Sequence, residues 1–318
     1  MKYILSVFLG AASYGILSTF VVLAYGKGYQ LGEVVGSQLL TGFILAWLLT
    51  FMMKWRERRN KSTVAGLTKA SRTRSAGLNW KQRLLLMAAG APTAITGLLY
   101  YQSLRYIPAS LAIILLFQFT WIGVFIQAIG QRKRPTGIML LTIVVLFGGT
   151  LLAAGIIEQG TGSFNLMGVT LGLLSAVSYS MFILFSGRAV PSVHPATRSA
   201  WMITGGMILV FIIFPPTFLF NGQLWGDLLL FGLLLGTFGA FIPPVLFAIG
   251  VPHIGEGMAG ILGASELPVA VLLSSFVLNE HVSALQWVGV IIVLAGVALP
   301  ELMKRRKVII NRRTGISV

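Results

Sequence analysis

Apolar residues along this chain fall in long unbroken runs, not in the one-sided stripes of a surface helix. Runs of about 20 residues lie near 4–25, 32–53, 84–104, 108–128, 136–157, 166–187, 199–220, 227–250, 256–278 and 283–300. A helix rises ~1.5 Å per residue and bilayer hydrocarbon is ~30 Å thick, so each run is long enough to cross. The pattern predicts an all-α integral membrane protein of ten transmembrane helices. Pro108 and the run Val251-Pro252-His253-Ile254-Gly255 divide stretches whose apolar character hardly pauses, because proline and glycine punctuate a helical ladder. The first run follows Lys2 and carries Ala11-Ala12, as a secretory leader would, but it stays apolar to Ala24. That is longer than the roughly 7–15 apolar residues of a leader.

Composition agrees. The chain is 56% hydrophobic before its 37 glycines are counted and only 10% charged, against about 25% charged in a soluble domain. So few charges cannot coat a water-facing surface of this size. The formal net charge of +16 would point to nucleic acid in a soluble protein. Here the basic residues sit between the apolar runs, as topogenic charge near lipid head groups does. They gather at Lys2, between Lys54 and Arg83, at Arg132-Lys133-Arg134, at Arg188 and Arg198, and from Lys304 to Arg313. Of the 24 basic residues only Lys27 and Arg105 fall in the other set of connections. Such a bias predicts an even number of spans in the cytoplasmic membrane, with both termini cytoplasmic. The stretch 54–83, basic and without apolar periodicity, reads as a mobile cytoplasmic loop, and 301–318 as a basic cytoplasmic tail. Cysteine is absent, which removes disulfides, thiolate metal sites and a cysteine nucleophile.

The chain also repeats itself. Leu9-Gly10-Ala11-Ala12-Ser13-Tyr14-Gly15 in the first run aligns with Leu174-Ser175-Ala176-Val177-Ser178-Tyr179-Ser180 in the sixth. Tyr106-Ile107-Pro108-Ala109-Ser110 opens the fourth run as His253-Ile254-Gly255-Glu256-Gly257 opens the ninth. Val144-Val145-Leu146-Phe147-Gly148 matches Ile292-Val293-Leu294-Ala295-Gly296. Three matches in one order predict two five-helix repeats, 1–157 and 166–300. Five is odd, so the second enters the membrane from the opposite side, the arrangement many secondary transporters use for alternating access.

The run Glu266-Leu267-Pro268-Val269-Ala270, then Leu278-Asn279-Glu280, then Gln286-Trp287-Val288-Gly289-Val290-Ile291-Ile292-Val293-Leu294-Ala295-Gly296 resembles the C-terminal signature of the EamA family of the drug/metabolite transporter superfamily. The resemblance implies two five-helix repeats and a carrier, mostly an exporter, of metabolites, amino acids or toxic compounds. It is sharp over about 254–300 and follows the layout of the rest. The first half departs at Gly130-Gln131-Arg132-Lys133-Arg134, where the family often carries a Gly-Glu pair.

Of the eight acidic residues, Glu266 alone lies deep in an apolar run. Counted from residue 256 it sits about 15 Å in, near the midplane. Ionisable groups at that depth are costly and face polar interiors, so Glu266 reads as a proton or substrate-cation site, or else as a packed carboxyl beside backbone freed by Pro268. Tyr14 and Tyr179 occupy matching positions near mid-span, with Ser13 and Ser178 beside them. Tyr100 joins Ala89, Thr93, Thr96 and Ser103 on the third run. Gln118 in the fourth run matches Ser265 in the ninth and needs a cavity or another helix as partner. Small residues at such spacing also serve plain helix packing. Pro243 and Pro244, after Gly232, Gly236 and Gly239, predict a kink that is either a gating hinge or a static bend, and Pro268 is a further kink candidate. His194, His253 and His281 lie at loops or helix ends, and no HExxH, GxSxG or phosphate-cradling loop occurs, so neither catalysis nor a cofactor is expected. The expected partners are a small-molecule substrate, the lipid bilayer, protons as candidate coupling ion, and a second copy of the chain. The reading that results is an exporter working by alternating access. A lipid flippase, and a membrane enzyme or non-transporting membrane protein, are the alternatives.

Overall fold

A computed structural model describes residues 1–64, 78–130, 137–154, 165–186, 189–190, 192–254 and 256–314. Among the described residues all regular structure is helical. Six helices are long and apolar enough to cross a membrane: Lys2–Gly26, Leu31–Arg56, Trp80–Ser103, Leu166–Phe185, Pro195–Ile213 and Asp227–Phe247. Four shorter apolar helices, Ala109–Gly123, Leu140–Ala153, Ile261–Val277 and Ala284–Leu299, lie where the other expected runs fall.

Several rods are built from pieces. The first comprises α1 (Lys2–Gly15) and α2 (Leu17–Gly26). After α3 (Leu31–Val64) and α4 (Trp80–Ser103), the fourth rod divides into α5 (Ala109–Leu116) and α6 (Phe119–Gly130). Next come α7 (Gly137–Ala153), α8 (Leu166–Ser186) and α9 (Pro195–Ile213). The eighth rod passes from α10 (Asp227–Leu235) through a π-helical stretch, Gly236–Phe241, into α11 (Ile242–Ile254). The ninth is α12 (Glu256–Gly263) and α13 (Glu266–Val277), and the chain ends in α14 (Ala284–Thr314).

Two expectations need correction. The stretch 54–83 is not a loop throughout, because α3 continues to Val64 and α4 already begins at Trp80. Likewise the tail from 301 is helical to Thr314. Lys, Arg and Glu are good helix formers, and a helix leaving the bilayer needs no apolar face to continue. The middle of 54–83, the trio Arg132-Lys133-Arg134 and Arg188 lie outside the described residues. The seventh rod starts at Pro195, not 199, because His194 Nδ1 accepts the Ala196 N–H at 3.2 Å and proline suits the first helical position. It stops at Ile213, since Pro215 and Pro216 cannot continue the ladder. Pro243 and Pro244 open α11 directly after the π stretch, where the displaced ladder absorbs their missing donors. Pro268 stands in the first turn of α13, four residues past Ala264, where the ninth rod breaks.

The packing partners follow a pattern. α4 packs on α8 and α9, while α11 packs on α1 and α10 on α3. α8 touches α5 and α6, as α1 touches α12 and α13. The pairs α3 with α9, α5 with α13, and α7 with α14 complete the set. Glycine lets backbones meet at these crossings. A Cβ on Gly90 of α4 would strike the Met202 carbonyl of α9, and one on Gly205 of α9 the Met87 carbonyl of α4. On α14, a Cβ at Gly289 would run into the Ala153 backbone and lie 2.7 Å from the Gly149 oxygen of α7. Ile44, Phe51, Val144, Phe147, Ile212, Phe276 and Ile291 point outward and stay exposed, as a lipid-facing belt requires. Trp55 and Trp80 at one end and Trp225 at the other are exposed too, at the depth where amphipathic rings settle.

Gly289→Ala should therefore lower the thermal midpoint in detergent, by an amount equivalent to about 1–3 kcal/mol of overpacking. Gly148→Ala, with open space around its Cβ, should leave the midpoint unchanged or slightly raised.

Candidate functional site

The broken rods meet around a cavity of about 210 Å³. That far exceeds the ~10–15 Å³ that admits one water and falls below the ~300–1,000 Å³ usual for drug-sized ligands. Among the described residues its wall draws on both halves of the chain. Tyr14, Leu17, Gln38, Thr93, Thr96, Tyr100, Tyr101 and Leu116 come from the first, and Tyr179, Phe182, Ser199, Met202, Gly239 and Glu266 from the second.

Glu266 reaches the cavity because the ninth rod breaks beside it. α12 ends at Gly263, Ala264 and Ser265 form the join, and Glu266 is the first residue of α13, where the helix dipole favours a negative charge. The first rod makes room for this join. A Cβ on Gly15 would lie 2.6 Å from the Glu266 carbonyl oxygen, so the end of α1 and the start of α13 approach backbone to backbone. Among the described residues the Glu266 carboxylate has neither an ion pair nor a hydrogen bond. An unpaired carboxylate at mid-depth is tolerable only against a wet or ligand-filled space.

Of the residues singled out in sequence, Glu266, Tyr14, Tyr179 and Tyr100 come together in the wall, and four do not. Ser13 donates to the Phe238 carbonyl of the π stretch at 2.6 Å, and Ser178 to the Pro92 carbonyl of α4 at 2.8 Å. Matching serines thus each bind a proline-disturbed helix of the opposite half. Gln118 spans the break between α5 and α6, donating to Ile114 O at 2.9 Å and to Thr150 Oγ1 of α7 at 2.7 Å. Its own oxygen accepts the Trp121 indole N–H at 2.8 Å. Ser265 lies in the join itself, its hydroxyl buried without a partner, as are those of Ser18, Thr19 and Tyr100. Sequence reasoning passed over Gln38, Tyr101 and Ser199. Gln38 sits mid-run, so the rule that flagged Gln118 also fits it, whereas nothing in its neighbourhood marks Ser199.

The two ends of the cavity differ. Toward the basic segments it reaches Ser199, four residues or about 6 Å from the start of α9. The opposite end is bolted. The Glu280 carboxylate accepts the backbone N–H groups of Ala109 and Ser110 at 2.6 and 3.0 Å and the Ser110 hydroxyl at 2.7 Å, capping α5 with a charge from beyond α13. Arg105 stands 4.5 Å over the Tyr25 ring and donates to Gln30 Oε1 at 3.0 Å. Tyr25 in turn donates to the Tyr101 carbonyl at 3.1 Å. Lys27 pairs with Asp227 at 3.3 Å, and the Leu228 N–H donates to the Tyr29 hydroxyl at 3.1 Å.

An all-helical, multi-pass membrane protein with a largely apolar pocket, carrying a few polar side chains and one carboxyl, between its broken helices is the class this geometry defines. Residues 166–300 match the EamA-like transporter family. Over 283 residues the chain is 24% identical to the uncharacterized transporter sll1319 of Synechocystis, covering 85% of this chain and 83% of that one. It is 25% identical over 230 residues to the threonine/homoserine exporter RhtA of Salmonella typhimurium, covering 71% and 74%. The inner membrane transporter YicL of the same organism is 25% identical over 234 residues, covering 72% and 76%. A solved crystal structure, 17% identical, shares the fold with a TM-score of 0.59 over 95% of this chain and 98% of its own. The second half thus carries the match to the EamA-like transporter family, and the transporter relatives that follow most of the chain's length support a membrane transporter.

Removing the Glu280 cap should loosen the bolted end. In this cysteine-free chain, a single Ile107→Cys probe, buried at the start of α5, should react faster with an impermeant thiol reagent when Glu280→Ala is added. The same change should cost about 0.5–2 kcal/mol of stability. Unchanged labelling would deny Glu280 a closing role.

Proposed function

We propose that the protein is a secondary exporter that moves a small solute across the cytoplasmic membrane by alternating access. The cavity carries this reading: residues of both halves wall it, it holds a carboxyl without a hydrogen-bond or ion-pair partner among the described residues, and the Glu280, Arg105 and Lys27 contacts lie at the end away from the basic segments. All ten rods cross the bilayer, as two inverted five-helix repeats spanning 1–157 and 166–300, with both termini in the cytoplasm. In support, the most extensive packing pairs map onto one another when each helix is exchanged for its counterpart five rods away, and Ser13 and Ser178 make matching bonds. The bias of basic residues toward one side favours a cytoplasmic position for the end that reaches Ser199, the loading side of an exporter. That RhtA is named an exporter points the same way.

Transport proceeds as the halves rock about the glycine crossings, breaking the Glu280, Arg105 and Lys27 bonds while the cytoplasmic end closes. Glu266 couples solute movement to protons by holding one or the other, and the tyrosines around it orient the solute.

Glu266→Gln keeps size and shape but removes the charge. In proteoliposomes it should reduce flux at least about tenfold and flatten its dependence on pH, with the thermal midpoint preserved. Wild-type flux and wild-type pH response in that variant would remove Glu266 from the mechanism.

A further inference from the structure

Resting on the carrier reading above, the chemistry of the wall also selects a solute class. We propose that the transported solute is a small organic ammonium ion without a carboxylate, held by Glu266 among Tyr14, Tyr100, Tyr101 and Tyr179.

Charge is the first argument. Glu266 is the sole acidic side chain among the described wall residues, and no Lys, Arg or His stands with it there. The basic residues on helices that reach the wall are turned to other uses or placed at its rim. Arg83 of α4 donates to the Leu78 carbonyl at 3.1 Å and lies 5.4 Å over the Trp201 ring, and Arg198 precedes Ser199 without joining the wall. A carboxylate with no counter-charge is costly in a low dielectric, and a cationic ligand removes that cost. A ligand carboxylate would meet like charge and find no basic partner. The start of α13 offers it little, since the N–H groups of Ser265, Leu267 and Val269 already donate to Leu262, Ala264 and Ser265, and Pro268 has none.

The second argument is aromatic. An ammonium group is drawn to ring faces within ~6 Å, and four tyrosines and Phe182 line the same cavity as Glu266. Their hydroxyls supplement rather than replace this attraction, and that of Tyr100 has no partner.

Asymmetry is the third. With Gln118 matched to Ser265, the counterpart of Glu266 is Phe119. The backbone reproduces the match: the Gly15 position meets the Glu266 carbonyl, and Ser180, aligned with Gly15, donates to the Phe119 carbonyl at 3.0 Å. Phe119 meets Tyr179 edge to face at 4.7 Å. Where a zwitterion would need a second, opposite charge, the counterpart position holds an uncharged phenylalanine that packs against the wall residue Tyr179.

The test uses one scaffold in three charge states: phenethylamine, phenylalanine and phenylacetate. The full-length protein is reconstituted for counterflow, and its thermal midpoint is measured with each probe. Phenethylamine should stabilise and exchange, with the other two at least about tenfold weaker. Glu266→Gln should abolish the preference, and Glu266→Asp, which keeps the charge, should retain it. Phenylalanine or phenylacetate acting as well as the amine overturns the assignment. So does an amine response that survives Glu266→Gln, or silence with all three probes. Exchange of phenylalanine without phenethylamine sinks the cation class and leaves the carrier standing, whereas absence of counterflow for every solute of a metabolite panel sinks the carrier itself.

Discussion

Hydrocarbon offers no hydrogen-bond partner, so a backbone group released from a helix inside the bilayer must be satisfied by protein or by enclosed water. The architecture of this chain follows from that constraint. Its rods are interrupted at Ile16, at Phe117-Gln118, at Gly236–Phe241 and at Ala264-Ser265. Two of these interruptions are given side-chain partners. Gln118 stitches its own break to α7, and the π stretch passes its Phe238 carbonyl to Ser13. The carbonyl of Pro92, inside α4, goes to Ser178 and Thr96. Breaks that need enclosure converge, and a cavity remains where they meet.

Glu266 depends on that convergence. A lone carboxylate facing lipid would cost several kcal/mol. At the start of a half-helix, beside a cavity large enough for water, the same group is tolerated and left free to bind. Its placement rests on Gly15, whose missing side chain admits the α13 backbone. At the position the proposed repeat matches to it, Phe119 stands in place of the acid and packs on Tyr179.

The bolted end is made of individually weak contacts. Exposed pairs such as Lys27 with Asp227 contribute about 0–1 kcal/mol, while the partly buried Glu280 cap carries more because its donors are helix-terminal N–H groups. A seal of this kind can open and close, whereas the glycine crossings of α4 with α9 and of α7 with α14, backbone on backbone, behave as rigid contacts. Weak bonds at the rim and tight ones in the bundle suit a protein whose halves are proposed to rock.

Run length and composition along the chain were enough for its helical membrane nature and for the position of the apolar helices, because these depend only on composition over about 20 consecutive residues and on rise per residue. The repeat in sequence also paired Tyr14 with Tyr179 before any contact was known. Tertiary structure alone decided which polar residues face the cavity. Ser13, Ser178 and Gln118 share the depth and chemistry of the wall residues yet are spent on backbone carbonyls and a neighbouring threonine. Gln38, Tyr101 and Ser199, by contrast, face the cavity only because of how their helices are rotated. Helix rotation and the site of each break are set by contacts between rods distant in sequence, and no local pattern carries that information.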